Sequence, residues 1–133
     1  MRKPFLIMLA CWVGVGLNGQ GLPPHSLPRA VNTEFEEFRF VMSAEGDALF
    51  LARHGHPNNR GEAPSSDIWV TYKTGPEQWS KPLNIGAPVN STGSEWPAGL
   101  NPSENELYVY AAAQGQLLRY KREGRFWRSP TPQ

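Results

Sequence analysis

The sequence predicts an all-β chain, and three observations carry the prediction. After residue 22 no segment keeps a 3.6-residue apolar period, whereas short runs of alternating apolar and polar side chains recur. Thirteen prolines and thirteen glycines are spread along the chain, the punctuation of many short strands joined by tight turns. One block also occurs twice. Residues 31–51, VNTEFEEFRFVMSAEGDALFL, align without a gap on residues 89–109, VNSTGSEWPAGLNPSENELYV, at an offset of 58. Val31-Asn32 falls on Val89-Asn90, Thr33 on Ser91, Glu37-Phe38 on Glu95-Trp96, and Leu49-Phe50 on Leu107-Tyr108.

The chain opens MRKPFLIMLACWVGVGLNGQG. Basic Arg2 and Lys3, thirteen uncharged residues from Phe5 to Leu17, and then small Gly19 and Gly21 follow the order of a secretory signal peptide. Thirteen helical residues would cover roughly 20 Å, short of the ~30 Å hydrocarbon core of a membrane. Residues 1–21 are therefore expected to be a cleaved leader, and the protein to be exported, periplasmic or secreted, beginning near Leu22. A membrane association is expected only if the leader is retained as an anchor or if Cys11, after Met8-Leu9-Ala10, is lipidated as in a lipoprotein. Cys11 is the only cysteine, so disulfides do not hold the mature chain together. Losing Arg2 and Lys3 takes thirteen basic residues to eleven, against twelve acidic ones, a net charge of −1. That balance argues against a nucleic-acid partner, which calls for a basic patch.

Residues 22–30 read as a linker, and residues 31–88 and 89–133 as two repeats. The stretch DIWVTYK, residues 67–73, places Ile68, Val70 and Tyr72 on one face and Trp69 and Thr71 on the other. ELYVYA from Glu106 and DALFLA from Asp47 alternate likewise. A turn precedes each of these two, SAEGD at residues 43–47 and NPSEN at residues 101–105, with Gly46 and Pro102 suited to turn positions. Each pair thus reads as a hairpin. Further on the offset falls to 48, with Tyr72-Lys73 on Tyr120-Lys121, Trp79 on Trp127 and Pro82 on Pro130. The change puts ten extra residues in the first copy, within RHGHPNNRGEAPSS, residues 53–66. Predicted strands are residues 36–42, 47–53, 67–73 and 78–82, then 94–100, 106–112, 116–122 and 125–129. Four antiparallel strands per repeat, with no room for helices, make up a propeller-type blade.

The stretch DIWVTYKTGPEQWSKPLNIGAPVNSTGSEWPAGLNPSENELYV resembles the WD-like β-propeller repeat of exported bacterial proteins, akin to the TolB propeller. The shared pattern is Asp-Ile-aromatic, Trp-Ser-x-Pro, Asn-Ser/Thr, Glu-aromatic-x-Pro, and a turn before a Leu-Tyr strand. It spans residues 31–130, most closely residues 67–109. The usual Ser-Pro-Asp-Gly turn is Asn101-Pro102-Ser103-Glu104 here, and the Asp-Ile start is Gly115-Gln116 in the second copy. The resemblance implies a partial propeller of two blades. Stacked repeats share a core and about three or more are usually needed for stability, so both ends of the stack are expected to expose an apolar sheet face. A homo-oligomer, a protein partner, a truncated remnant or a small sandwich would each answer that exposure.

For chemistry, the insert is the first candidate. His54, His56, Glu62 and Asp67 carry groups that suit zinc, although their spacing matches no named metal motif. The alternatives are a ligand-recognising loop of His54, His56, Asn58, Asn59 and Arg60, or an ordinary polar loop, in which case replacing both histidines should change stability by no more than about 0.5 kcal/mol. Glu37 and Glu95 recur once per repeat, which points to a repeated structural contact rather than acid/base work. Trp79 and Trp127 could stack on sugars but read as packing residues, as do Trp69 and Trp96. No phosphate loop, Ser-His-Asp arrangement or Cys/His cluster is present in the sequence, and no cofactor is expected. The functional expectation is a non-catalytic exported binding or scaffold module. The alternative is a fragment of a carbohydrate-active, sialidase- or glycosidase-like propeller hydrolase, since TGPEQW at residues 74–79 faintly resembles an aspartate box that lacks its Asp.

Overall fold

The computed structural model describes residues 28–132. The expected leader with Cys11, and most of the 22–30 linker, lie outside the described residues. The rest is strand and turn, in two antiparallel sheets. Sheet I contains β1 (Glu36–Met42), β2 (Ala48–His54), β3 (Ser66–Gly75), β4 (Gln78–Trp79) and β5 (Leu83–Asn84). Sheet II contains β6 (Glu95–Leu100), β7 (Glu106–Ala111), β8 (Gln116–Glu123), β9 (Phe126–Trp127) and β10 (Thr131–Pro132). Among the described residues no helix is long and apolar enough to cross a membrane.

The two sheets repeat each other strand for strand. β1-β2-β3 and β6-β7-β8 are meanders, with β4 and β5 both on β3, and β9 and β10 both on β8. The expected fourth strand is therefore two dipeptide segments. Between them stand Ser80-Lys81-Pro82 and Arg128-Ser129-Pro130, and proline cannot donate to a ladder. The hairpin turns form as expected. Ser43 Oγ accepts from the amides of Asp47 and Ala48 at 3.1 and 3.0 Å, and Gly46 takes φ +72°. Asn101 Oδ1 likewise accepts from Asn105 and Glu106, both at 2.9 Å.

The third strand corrects the sequence alignment. Phe50 pairs with Val70 in sheet I, and its counterpart Tyr108 pairs with Arg119 in sheet II. The offset along β3 and β8 is thus 49, not 48. It falls to 48 only past an irregularity between Lys73 and Gly75. Nine extra residues lie in the insert and the tenth is that bulge. A one-residue slip moves a side chain to the opposite face. Tyr72 is accordingly exposed and Tyr120 buried, so their likeness in sequence is not a likeness in place.

The sheets stack in the same sense. Ala48, Phe50, Ile68 and Val70 on the inner face of sheet I pack with Leu107, Val109 and Tyr120 of sheet II, and with Val89 of the segment between β5 and β6, in one core. Leu107 and Val109 correspond to Leu49 and Leu51, which lie on the other, outer face of sheet I. That face is covered, contrary to expectation. Val31, Leu49, Leu51 and Trp69 form a second buried cluster against Trp79, with Val31 held by its amide to Pro28 O at 2.8 Å. Among the described residues the outer face of sheet II stays open, with Tyr110 and Leu117 exposed.

Candidate functional site

The insert is a structural loop built inward from two polar side chains, buried Asp67 and half-buried Asn59. Asp67, wholly buried, accepts through Oδ2 from Arg60 N at 2.8 Å and Asn84 Nδ2 at 2.6 Å. Asn59 donates from Nδ2 to Arg53 O and Ser65 O, both 2.9 Å, and accepts from Trp69 Nε1 at 3.0 Å. Gly61 lets the loop lie against the next repeat, for a Cβ there would sit 2.8 Å from Gly93 O. His54 Nδ1 meets Ser66 Oγ at 2.9 Å at the end of the β2–β3 ladder. Asn58, Arg60 and Glu62 are exposed. Among the described residues no three His, Cys, Asp or Glu side chains gather as a metal site.

His56 is a packing residue. Its ring lies between Phe35 and Trp69, with centroids 4.6 and 4.5 Å away, and its Nδ1 accepts from Asn58 N at 3.0 Å. Each aromatic contact contributes about 0.5–1.5 kcal/mol, so His56→Ala is expected to cost about 1–2 kcal/mol by urea unfolding, more than an ordinary polar-loop position. Burial, aided by the Arg53 charge, lowers the pKa of His56 from its usual 6.5. The unfolded chain then binds the proton more readily. The His56 contribution to stability is present above pH 6.5 and is lost as pH falls toward the lowered value. Zinc added to the wild type is expected to leave the unfolding midpoint where it was.

The recurring glutamates close the turn that precedes each inner strand. Glu37 accepts from Thr33 Oγ1, and from Thr33 N at 3.3 Å. Glu95 accepts from Ser91 Oγ. The repeated structural contact expected of this pair is thus a hydrogen bond to the residue four positions back. The two carboxylates then diverge. Glu37 pairs in register with Arg53, whose Nε lies 3.1 Å away and whose guanidinium covers the Trp69 ring at 4.7 Å. Glu95 pairs in register with Ala111, and its Oε2 is buried with no hydrogen-bond partner among the described residues. Burial chiefly, with the Asp67 charge adding to it, raises the Glu95 pKa above 4.5. For a carboxyl the folded state then holds the proton longer than the unfolded chain. Stability from this group is present below pH 4.5 and is lost as pH rises through the raised value. Glu95→Gln keeps an acceptor for Ser91 and removes the charge. It is expected to abolish that decline and to raise the denaturant midpoint at neutral pH.

The open feature is a groove of about 600 Å³ where the outer face of sheet II meets β1. Trp96 and Tyr110 stack at 5.3 Å and 22° to form its floor, Phe38 meets Trp96 edge-on at 5.8 Å, and Leu117 extends the apolar surface. The other wall is a β-bulge. The ladder slips between Phe38 and Val41, placing Arg39 at φ +55°, a left-handed conformation uncommon for a non-glycine residue. Bulges re-aim side chains, and here Arg39 and Phe40 line the groove. β6 carries a slip at the matching place, between Pro97 and Gly99. Two half-buried or exposed rings, an exposed Leu and a cation suit contact with an apolar surface rimmed by polar groups. No family model, curated protein or solved structure matches the chain.

None of the groove residues was a candidate in the sequence, where Trp96 read as core. The signal that could have found them is Tyr108-x-Tyr110, where aromatic residues share one face of a strand whose other face carries Leu107 and Val109. The expected loop residues are brought together, but around Trp69, Asn59 and Asp67 rather than around an opening.

Proposed function

We propose that the chain is an exported, non-catalytic binding or scaffold module of two propeller-type blades, related to the WD-like, TolB-like repeat, that docks through the outer face of sheet II. One observation carries the proposal. Of the two outer faces, the described residues cover that of sheet I with the Val31 segment and leave the stacked Trp96–Tyr110 floor and Leu117 open. Apolar surface left in water forgoes about 25 cal/mol per Å², and contiguous exposed patches on soluble proteins mark interaction sites. The buried setting of Glu37 and Glu95 supports a structural rather than a catalytic role for them. Export rests on the order of residues 1–21, and N-terminal sequencing of the exported protein is expected to begin near Leu22. The docking surface is tested by placing a photo-cross-linking residue at position 117 and, as control, at exposed position 45. Adducts from position 117 and none from position 45 in intact cells are expected. Equal or absent cross-linking at the two positions overturns the proposal.

A further inference from the structure

The open face of sheet II differs in kind from the sheet face that the chain itself covers. Along the β7–β8 ladder the outward pairs are Tyr110–Leu117, Tyr108–Arg119 and Glu106–Lys121. Their register counterparts on the inner face of sheet I are Ala52–Ile68, Phe50–Val70 and Ala48–Tyr72. Those of sheet I are buried, Tyr72 apart. Sheet II keeps an uncharged pair at one end only. Arg119 stands where sheet I has Val70, and Glu106 where it has Ala48. A further apolar sheet, laid on this face as sheet II lies on sheet I, would bury those charges at a desolvation cost that apolar contact does not repay. The partner is therefore not one more blade of the same apolar kind.

The charges beside the aromatic floor favour one sign of partner. Arg119 Nη1 lies 3.7 Å from Glu106 Oε1, and Lys121 Nζ lies 3.9 Å from the same oxygen. Both are longer than the roughly 2.7–2.9 Å of a charge-assisted hydrogen bond, so each cation keeps donors for an incoming carboxylate. Arg39, exposed on the β1 wall of the groove, is a third cation. Glu123, further along β8, is paired with Arg128 at 2.7 Å. Among the described residues the face thus holds a surplus of positive charge next to Trp96, Tyr110 and Leu117. Successive outward pairs on β7–β8 lie about 7 Å apart, which is also the spacing of alternate side chains in an extended peptide. Building on the docking module proposed above, we infer that the outer face of sheet II binds an extended acidic segment of a partner polypeptide. An apolar side chain of that segment lies on Trp96, Tyr110 and Leu117. Carboxylates two and four residues along meet Arg119 and Lys121. The rings and the arginines supply the anchoring contacts, and the net charge selects the partner and speeds encounter.

The test selects a displayed library of random linear peptides on the purified exported protein at low ionic strength. The enriched sequences are expected to carry an apolar or aromatic residue with Asp or Glu two and four positions away. Binding of the enriched peptide is then measured on Leu117→Gln, on Lys121→Gln and on the double variant Arg119→Gln/Lys121→Gln. Leu117 and Lys121 are exposed and the Arg119 side chain is 29% exposed, and unchanged thermal midpoints check that each variant folds. Leu117→Gln and the double variant are each expected to weaken binding about tenfold, and Lys121→Gln by less. Added salt should weaken binding to the wild type and to Leu117→Gln, but hardly to the double variant. Selection that enriches nothing, or sequences without acidic bias, overturns the inference. So does an acidic peptide that binds the double variant as well as the wild type. Binding of polygalacturonate without peptide enrichment also overturns it, since that pattern means an acidic glycan. Where the acidic preference fails but position 117 still cross-links in intact cells, the acidic segment falls and the docking module stands. The absence of both brings both down.

Discussion

Replacing Arg53 with Met is expected to lower unfolding stability by about 3–5 kcal/mol, the usual cost of stranding one member of a buried ion pair. The side chains of Arg53 and Glu37 are only 4% and 6% exposed. Removing the guanidinium leaves the Glu37 carboxylate in a low-dielectric setting, still accepting from Thr33 but without its cation. The cover over Trp69 goes too. Glu37→Gln in the same background should recover a large part of the loss, because the amide keeps an acceptor for Thr33 and carries no charge. A double-mutant cycle by urea unfolding measures this. Recovery by Gln assigns the loss to charge burial, and no recovery assigns it to the missing contacts on Trp69. The second repeat already offers the natural comparison, since Glu95 faces Ala111 and its pKa is raised by burial.

Asn90→Ala is expected to cost about 3 kcal/mol. β5 pairs with Trp69 and Val70 and ends before Ile68, so the Asn90 side chain stands in for the missing strand residue. Its amide also donates to Asn84 Oδ1 at 2.8 Å. Alanine leaves the buried Ile68 N–H unsatisfied, and each such group costs about 1–3 kcal/mol. Asn90→Asp preserves the acceptor toward Ile68 N–H but not the donor toward Ile68 O, and adds charge, so it should be no better than alanine. Denaturant midpoints check both. A loss below about 1 kcal/mol for the alanine variant, within the range of an ordinary single hydrogen bond, would mean that other groups take over the Ile68 backbone.

The hairpins were legible because the 58-residue offset runs through them without insertion. The turn residues Ser43 and Asn101 then set each register. The third strand was legible as a strand but not in register. Tyr72-Lys73 and Tyr120-Lys121 look alike, yet a bulge between Lys73 and Gly75 puts them one residue, and so one face, apart. The split fourth strand was hidden because a proline marks where pairing fails without saying whether it resumes. It resumes at Leu83 and Thr131. The groove was illegible for a different reason. Leu107 to Tyr110 is apolar on both faces, and periodicity cannot tell which face a partner element will reach. His56 and Asp67 misled because polar residues in a Pro/Gly-rich loop read as exposed. His56 instead packs between Phe35 and Trp69, and Asp67 is closed in by Arg60 N and by Asn84, seventeen residues further on.

The broken fourth strand also governs whether the rim of each sheet can take up a further strand. A continuous outer strand would offer a row of free amides and carbonyls on which any extended peptide could add itself, the route to cross-β growth. Here each rim is interrupted after two residues. Ser80 Oγ engages the Tyr72 amide at 3.0 Å, and Pro82 contributes no donor at all. Growth by strand addition at this rim therefore stalls, and what each rim presents to the solvent is side chain rather than a bare row of backbone donors and acceptors.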